Sequence, residues 1–272
     1  MARERLDALM TGRGLAPTRS RAQALVLAGH VRVDGAPAHK PGQMVAADAD
    51  VTVAATDGYV SRAGGKLANA LDHLGGDVAG VRTLDVAAST GGFSDCLLRR
   101  GAGHVIALDV GYGQLAWSLR NDPRVTVMER TNARHLTPGG LVYPPDFVAA
   151  DVSFISLTLV WPAVVACAAP GWRACLMVKP QFEAGRRDVG SGGVVRDPEV
   201  RRRAVNRVAE CVAAWGGAVL DASDSGVPGP KGNREVFLAL ADARDAATAP
   251  DIDERIGAAV EAGTSPAPPG EV

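Results

Sequence analysis

The sequence predicts a Rossmann-like α/β fold: a doubly wound, seven-stranded, mainly parallel sheet preceded by a small α+β unit. Three observations carry this reading. Apolar segments alternate with helical stretches from about residue 81 to 215, the pattern of buried parallel strands joined by crossover helices. The last two strand-like segments, Ala218–Ala222 and Glu235–Leu240, are separated only by a loop, so the sheet closes with an antiparallel strand. The first fifty-odd residues have a pattern of their own, two short helices followed by short strands. With 272 residues, 47% of them apolar and 22% charged, the chain can bury the cores of two unequal domains. The expected division is residues 1–54, a linker over 55–61, a main domain over 62–245 and an acidic tail over 246–272, largely disordered because it is rich in Ala, Pro, Gly and Asp.

Bulk properties narrow the function. No apolar run approaches the roughly 20 residues of a membrane helix, and the start lacks a signal peptide's apolar segment, so a cytoplasmic protein without a membrane partner is expected. Cys96, Cys167, Cys175 and Cys211 lie in apolar stretches with neither a CxxC pair nor a histidine at ligand spacing; they read as reduced core residues, and no metal is expected. The net charge of -1 hides an uneven distribution: residues 1–40 hold seven bases against three acids, whereas residues 241–272 hold seven acids against two bases. A positive field at the N-terminus points to a polyanionic partner.

In the N-terminal unit, Arg5–Gly12 carries Leu6 and Leu9 and stops at glycine. Pro17–Ala28 carries Ala22, Leu25 and Val26 at helical spacing. Val31 and Val33 alternate with polar residues before Asp34-Gly35, a hairpin signal, and DADVTVAA supplies a further strand. With Ser20-Arg21, Ala24, Gly29 to Gly35 and Lys40-Pro41-Gly42 in order, residues 3–53 resemble the S4 RNA-binding domain. That resemblance implies RNA as partner, with Arg3, Arg5, Arg19, Arg21 and Lys40 facing phosphates.

The main domain's strands are expected at Val81–Val86, His104–Val110, Val125–Glu129, Phe147–Val152 and Ala174–Val178, besides the closing pair, with helices including Ile155–Ala168 and Pro198–Trp215. The first strand ends near Asp85 and enters a loop of small residues, Ala87, Ala88, Ser89, Thr90, Gly91 and Gly92, before Phe93 opens a helix; the second ends near Asp109. Ligands of open α/β sheets bind at the carboxyl ends of strands, where small residues admit a cofactor and an acid such as Asp109 can accept ribose hydroxyls. A nicotinamide site would need G-x-G-x-x-G for the pyrophosphate. Here Asp85 would repel a pyrophosphate but suits a cationic amino group, such as that of S-adenosylmethionine. Val110 and Asn132 complete the expected cofactor set with Asp85, Ala87, Ser89 to Phe93, Asp109 and Asp151.

Four charged residues sit where packing alone does not call for them: Lys66 in VSRAGGKL, Asp151 in ADVSFIS, Lys179 in MVKPQFEAG and Glu235 in GNREVFLAL. Lys66 lies at the opening of the main domain, Asp151 and Lys179 at expected strand ends, and Glu235 at the start of the antiparallel strand, which faces the same crevice. With YVSRAGGKL, LDVAASTGGFSDCLL, ALDVGYGQL, ADVSFISL, VKPQFEAGRRDVGSGGVVRDP and GPKGNREVFLAL in order, the chain resembles the TlyA family of ribosomal RNA 2'-O-methyltransferases, an S4 domain fused to an FtsJ-like class I methyltransferase domain. The resemblance implies a Lys-Asp-Lys-Glu tetrad at Lys66, Asp151, Lys179 and Glu235, S-adenosylmethionine as cofactor, and a cytidine 2'-hydroxyl in 16S or 23S rRNA within a ribosomal subunit as target, where capreomycin- and viomycin-type antibiotics act. A monomer or weak dimer is expected.

The chemistry suits the residue types. A ribose hydroxyl must lose its proton as it attacks, and a lysine can take that proton or stabilise the oxyanion; Lys179 is the choice, with Lys66 as the second cation and the acids as orienters. Departures from the family are Ala87 for glycine, Val236 for an aromatic residue and the linker Thr56 to Val60. The alternatives are another RNA or a base atom as target, and a non-catalytic RNA-binding assembly factor. A pseudouridine synthase would leave the Asp85–Gly92 loop without a purpose, and a cytolysin would need an amphipathic or apolar insert that the sequence lacks.

Overall fold

The computed structural model describes residues 3–16, 18–27, 29–53, 58–185, 187–190, 192–229 and 232–262. The N-terminal unit starts with β1 (Arg3–Arg5), which pairs antiparallel with β4 (Met44–Ala46). Between them run α1 (Leu6–Gly12), α2 (Arg19–Leu27), β2 (Val31–Val33) and β3 (Ala36–Pro37); β5 (Val51–Val53) follows, giving a second sheet of order β3-β2-β5. Asp34 and Gly35 both take positive φ, 49° and 75°, as a two-residue hairpin turn requires. Leu6, Met10, Val26 and Val31 are among the side chains that fill the core. The strand at Arg3–Arg5 escapes the sequence pattern because three polar residues on an exposed edge carry no apolar alternation.

The main domain begins with α3 (Arg62–Leu74), ended by Gly75 in the left-handed region. Then follow β6 (Arg82–Val86), α4 (Gly92–Arg99), β7 (His104–Leu108), α5 (Trp117–Arg120), β8 (Val125–Met128), β9 (Phe147–Ala150), α6 (Leu157–Val165), β10 (Arg173–Val178), α7 (Pro180–Glu183), α8 (Pro198–Ala214), β11 (Gly217–Asp224), β12 (Val236–Asp242) and α9 (Ile252–Ala262). The seven-stranded sheet has the order β11-β12-β10-β9-β6-β7-β8, in which β12 runs antiparallel to both its neighbours. The seven strands of the main sheet lie within two residues of the expected ends.

Alternation along the central strands builds two cores. Leu84, Val86, Ile106, Leu108, Val148 and Leu176 pack under α6, α8 and α9, while Val105, Ala107, Phe147 and Met177 pack with Phe93 and Leu97 of α4 and Leu67 of α3. The chain leaves β6 for β7 and β8 on one side, then returns to β9 on the other. That reversal opens a crevice at the carboxyl ends of β6, β7, β9 and β10.

The disordered tail expected from residue 246 is corrected. Residues 252–262 form α9, which buries Ile256, Ala259 and Val260 in the core beneath β11 and α8. Arg255 ties it to Asp221 and to Asp251. Ile252, Ile256, Ala259 and Val260 fall on one helical face, a short stripe that the acidic composition around it obscures. Residues 263–272 lie outside those described. We expect Ile256→Ala to destabilise the main domain by about 2 to 4 kcal/mol through loss of methylenes and the cavity left behind. Urea unfolding followed through the fluorescence of Trp161 and Trp172, both buried, measures this.

Candidate functional site: a charged crevice at the sheet's carboxyl edge

A cavity of about 520 Å³ opens where the topology places it, walled by Ala87, Ala88, Ser89, Thr90, Gly92 and Phe93 from the loop after β6, Asp109, Val110 and Gln114 after β7, Asp151, Ser153 and Phe154 after β9, and Lys179 after β10. Asp85, Lys66 and Glu235 close its inner end, with Ser61, Arg62 and Met177. A second cavity of about 380 Å³ shares Ser153, Phe154, Lys179 and Glu235 with the first and continues over Gln181, Phe182 and Asn233.

The loop after β6 is held by its neighbour. Ala87 and Ala88 both donate their N–H to the Leu108 carbonyl, at 2.8 and 3.0 Å. Ala87 and Ser89 have φ of 66° and 50°, which for non-glycine residues costs about 1–3 kcal/mol each and marks a loop bent for a purpose. The Asp109 carboxylate accepts from Ser89 N at 2.8 Å and from Gly111 N at 2.6 Å, which leaves it acceptor capacity for a ribose. The glycines serve packing: a Cβ on Gly92 would lie 2.2 Å from Ser61 Oγ, and one on Gly91 would lie 2.2 Å from Leu119 Cδ1. Of the two, Gly92 lines the cavity and Gly91 does not, so the side chain of Leu119, and not a cofactor, is what Gly91 makes room for. Asn132 is also off the cavity wall; its side chain accepts from Arg134 N and caps a short 3-10 turn.

Asp85 is fully buried. Its Oδ2 accepts from Ser94 N at 2.8 Å and Ser94 Oγ at 2.7 Å, while Oδ1 has no partner. Burial, opposed by the Ser94 hydrogen bonds, pushes its carboxyl up to about 7. An orphaned buried acceptor on a cavity wall fits a cationic amino group. The residues present therefore suit S-adenosylmethionine: Asp85 can take the amino group and Asp109 the ribose.

The four charged residues meet in two pairs. Lys66, on α3, donates to Glu235 Oε2, and both are almost wholly buried, with side-chain exposures of 7% and 4%. Lys179 Nζ lies 2.5 Å from Asp151 Oδ1 and donates to Ser153 Oγ at 2.7 Å. Asp151 Oδ1 is compensated by that charge and not by an aligned hydrogen bond. Burial raises the Asp151 carboxyl, and the Lys179 ammonium opposes the shift. The loop ahead of Glu235 is fixed by Asn233, which accepts from Val195 N at 3.0 Å and donates to the Gly193 carbonyl at 2.8 Å.

The N-terminal unit reaches this crevice. Leu27 lines the cavity, and a Cβ on Gly29 would lie 2.7 Å from the Arg62 guanidinium, whose burial lowers its pKa. The basic residues assigned to RNA divide. Arg5 and Arg19 both pair with the buried Asp7, at 2.9 and 3.1 Å, and Gln23 donates to the same carboxylate at 2.8 Å. These contacts hold the Asp7 carboxyl far below the usual range. Arg3 donates to the Met44 carbonyl. Arg21 and Lys40 present exposed side chains. Among cavity residues, sequence reasoning missed Leu27, Ser61, Arg62, Gln114, Ser153, Phe154 and Met177; Ser153 and Phe154 lay within the ADVSFIS segment already singled out. Among the described residues, no group of three His, Cys, Asp or Glu side chains could hold a metal, and no helix is long and apolar enough to cross a membrane.

Residues 59–242 match the FtsJ-like methyltransferase family. The chain belongs to the FtsJ-like methyltransferase family. Its sheet is that of a class I methyltransferase, and it is an S-adenosylmethionine-dependent enzyme; residues 4–51 match the S4 domain. A Mycobacterium tuberculosis protein described as 16S/23S rRNA (cytidine-2'-O)-methyltransferase TlyA is 49% identical over 265 residues, 96% of this chain and 98% of the relative. A Brachyspira hyodysenteriae protein called Hemolysin A is 38% identical over 232 residues, 85% of this chain and 97% of its own. A solved Streptococcus thermophilus structure labelled a hemolysin superposes with a TM-score of 0.76 at 36% identity, covering 97% of this chain and 96% of that one.

The Asp85 environment gives this FtsJ-like enzyme a pH signature. Only the ionised carboxylate attracts an ammonium, so with its pKa at about 7, affinity for S-adenosylmethionine should rise several-fold from pH 6 to about pH 7.5, below the range where the ligand's own α-amino group deprotonates, and Asp85→Asn should flatten that rise. Because the folded value lies above the usual 3.8, the cofactor-free protein should lose stability as pH rises from about 4 through 7. Calorimetric titration and thermal melts across this range check both signs.

Proposed function

We propose that this chain methylates the 2'-hydroxyl of a cytidine in ribosomal RNA, in the small subunit, the large subunit or both, and that it works in the cytoplasm on ribosomal subunits. The observation that carries the reading is the convergence of Lys66, Asp151, Lys179 and Glu235 on one cavity, with Lys179 and Glu235 also lining the second, beside an acid suited to the methionine end of the cofactor. The relatives named for rRNA cytidine-2'-O-methylation supply the nucleotide and the atom. The S4 match supplies the grip on RNA, with Arg21 and Lys40 free of the internal Asp7 network that engages Arg5 and Arg19.

S-adenosylmethionine, when bound, supplies a methyl group already activated by its sulfonium, so the protein has only to manage the nucleophile. In the first cavity Asp85 would hold the amino group of the cofactor and Asp109 its ribose. The target nucleoside enters from the second, where Phe154 and Phe182, with ring centroids 5.3 Å apart, offer apolar faces to a base. Lys179 takes the hydroxyl proton or stabilises the oxygen's developing charge, and Asp151 balances Lys179. Lys66 adds positive potential from deeper in the crevice, with Glu235 as its counter-charge. Alignment of the two substrates across the shared wall accounts for much of the remaining acceleration. Methylation at such a site would alter the action of capreomycin- and viomycin-type antibiotics on the ribosome.

The test is transfer of labelled methyl from S-adenosylmethionine to unmethylated small and large subunits. We expect label in 2'-O-methylcytidine, lowered by about 10²- to 10⁴-fold in Lys179→Ala with cofactor binding retained. Label in a base, or full activity in the variant, would contradict the reading.

A further inference from the structure

The tetrad by itself leaves the aim of Lys179 undetermined. A lysine ammonium is a compact charge on a flexible four-carbon stem, so an ion pair fixes its neighbourhood but not the direction of its bonds. Asp151 is such a partner: its Oδ1 lies 2.5 Å from Nζ without an aligned hydrogen bond. The directional contact comes from Ser153, whose Oγ accepts from Lys179 Nζ at 2.7 Å. Ser153 is exposed and lines both cavities, so it stands at the junction that a substrate hydroxyl must reach.

The backbone around Ser153 is shaped to this contact. The chain leaves β9 at Ala150, and within four residues Phe154 adopts φ of 65°, a left-handed conformation that an aromatic side chain rarely takes. Ser156 then caps α6, accepting from Thr158 N at 3.1 Å, and donates to the buried Glu183 at 2.5 Å. Glu183 also accepts from Leu157 N at 2.7 Å, which locks the far side of the turn to α7, the helix that follows Lys179. Ser153 and Lys179 are thus held by one network, and their approach does not depend on two free surface side chains meeting.

We propose that Ser153 is a positioning residue for methyl transfer: together with Asp151 it holds Lys179 Nζ so that the one remaining bonding direction of the nitrogen faces the substrate hydroxyl. This rests on the reaction proposed above. Nζ has three directions besides its bond to Cε; the Ser153 hydrogen bond fixes one, the Asp151 charge biases the rotation of the other two, and the one turned away from both partners carries either the lone pair that accepts the proton or the N–H that meets the oxyanion. As the hydroxyl oxygen bonds to the methyl carbon, its proton passes to Nζ, and the broken carbon–sulfur pair stays with sulfur as a neutral thioether. Without Ser153 the amine keeps its charge balance and loses its aim.

Full-length wild type, Ser153→Ala and Ser153→Thr are compared by calorimetric binding of S-adenosylmethionine, by single-turnover methyl transfer to unmethylated subunits, and by NMR of the lysine Nζ groups. We expect Ser153→Ala to bind cofactor within about twofold of wild type, to transfer methyl on the order of tenfold more slowly and to lose the ordered Lys179 Nζ signal while keeping that of Lys66. The threonine variant, which restores a hydroxyl, should recover most of the rate. Wild-type transfer by Ser153→Ala, a rate loss matched by lost cofactor affinity, or no rescue by threonine would overturn the proposal. A wild-type protein that methylates no ribose while its Lys179 signal still depends on Ser153 would refute the assigned reaction and support the contact.

Discussion

Everything at the carboxyl edge of the sheet depends on placing four charges in a partly buried crevice without leaving any of them uncompensated. Two cations and two anions, drawn from α3 and from the ends of three strands, cancel in pairs: Lys66 with Glu235 and Lys179 with Asp151. Removing one partner of a buried pair costs about 3–5 kcal/mol because the survivor is stranded away from water. The fold meets that constraint through topology. If β12 ran parallel, Glu235 would emerge at the opposite edge of the sheet; its reversal brings the start of the strand to the crevice and Glu235 to Lys66.

The pairs differ in a way that suits division of labour. Lys66 and Glu235 are almost wholly enclosed, a fixed source of potential, whereas Lys179 and Asp151 retain exposures of 12% and 20%, where a substrate can reach them. Asp85 stands apart, buried with one oxygen unsatisfied, and a bound cation would offset the cost of burying it. The N-terminal unit adds Leu27 to the same wall and brings Gly29 against Arg62, so an RNA grip and a methyl-transfer crevice share a boundary.

Much of this is legible in the amino-acid sequence. Apolar strands buried on both faces announce a parallel sheet, and the short gap between Ala222 and Glu235 announces its closing antiparallel strand. Asp151, Lys179 and Glu235 stand out because charges at strand ends have no packing reason to be there, and Lys66 joins them through the VSRAGGKL motif. What stayed hidden was pairwise. Arg5 and Arg19 read as phosphate contacts because Asp7, which engages them, looks in sequence like any helix-start acid, and only the fold shows it at 0% exposure. Gly91 read as cofactor-facing because the sequence does not say which side of a small-residue loop Leu119 will occupy. Ile256 was hidden by acidic neighbours. Ser153 was within a recognised segment, but a lone serine has no signal until its distance to Lys179 is known.

The central claim is that Lys66 and Glu235 act as one unit, and a double-mutant cycle tests it most directly. Single-turnover methyl transfer would be measured for Lys66→Met, Glu235→Gln and the double variant, all shown to be folded and cofactor-binding. The account predicts strong non-additivity, with the double variant no slower than the slower single, because either change already dismantles the pair. Multiplying losses would show that the two residues act independently and would contradict it.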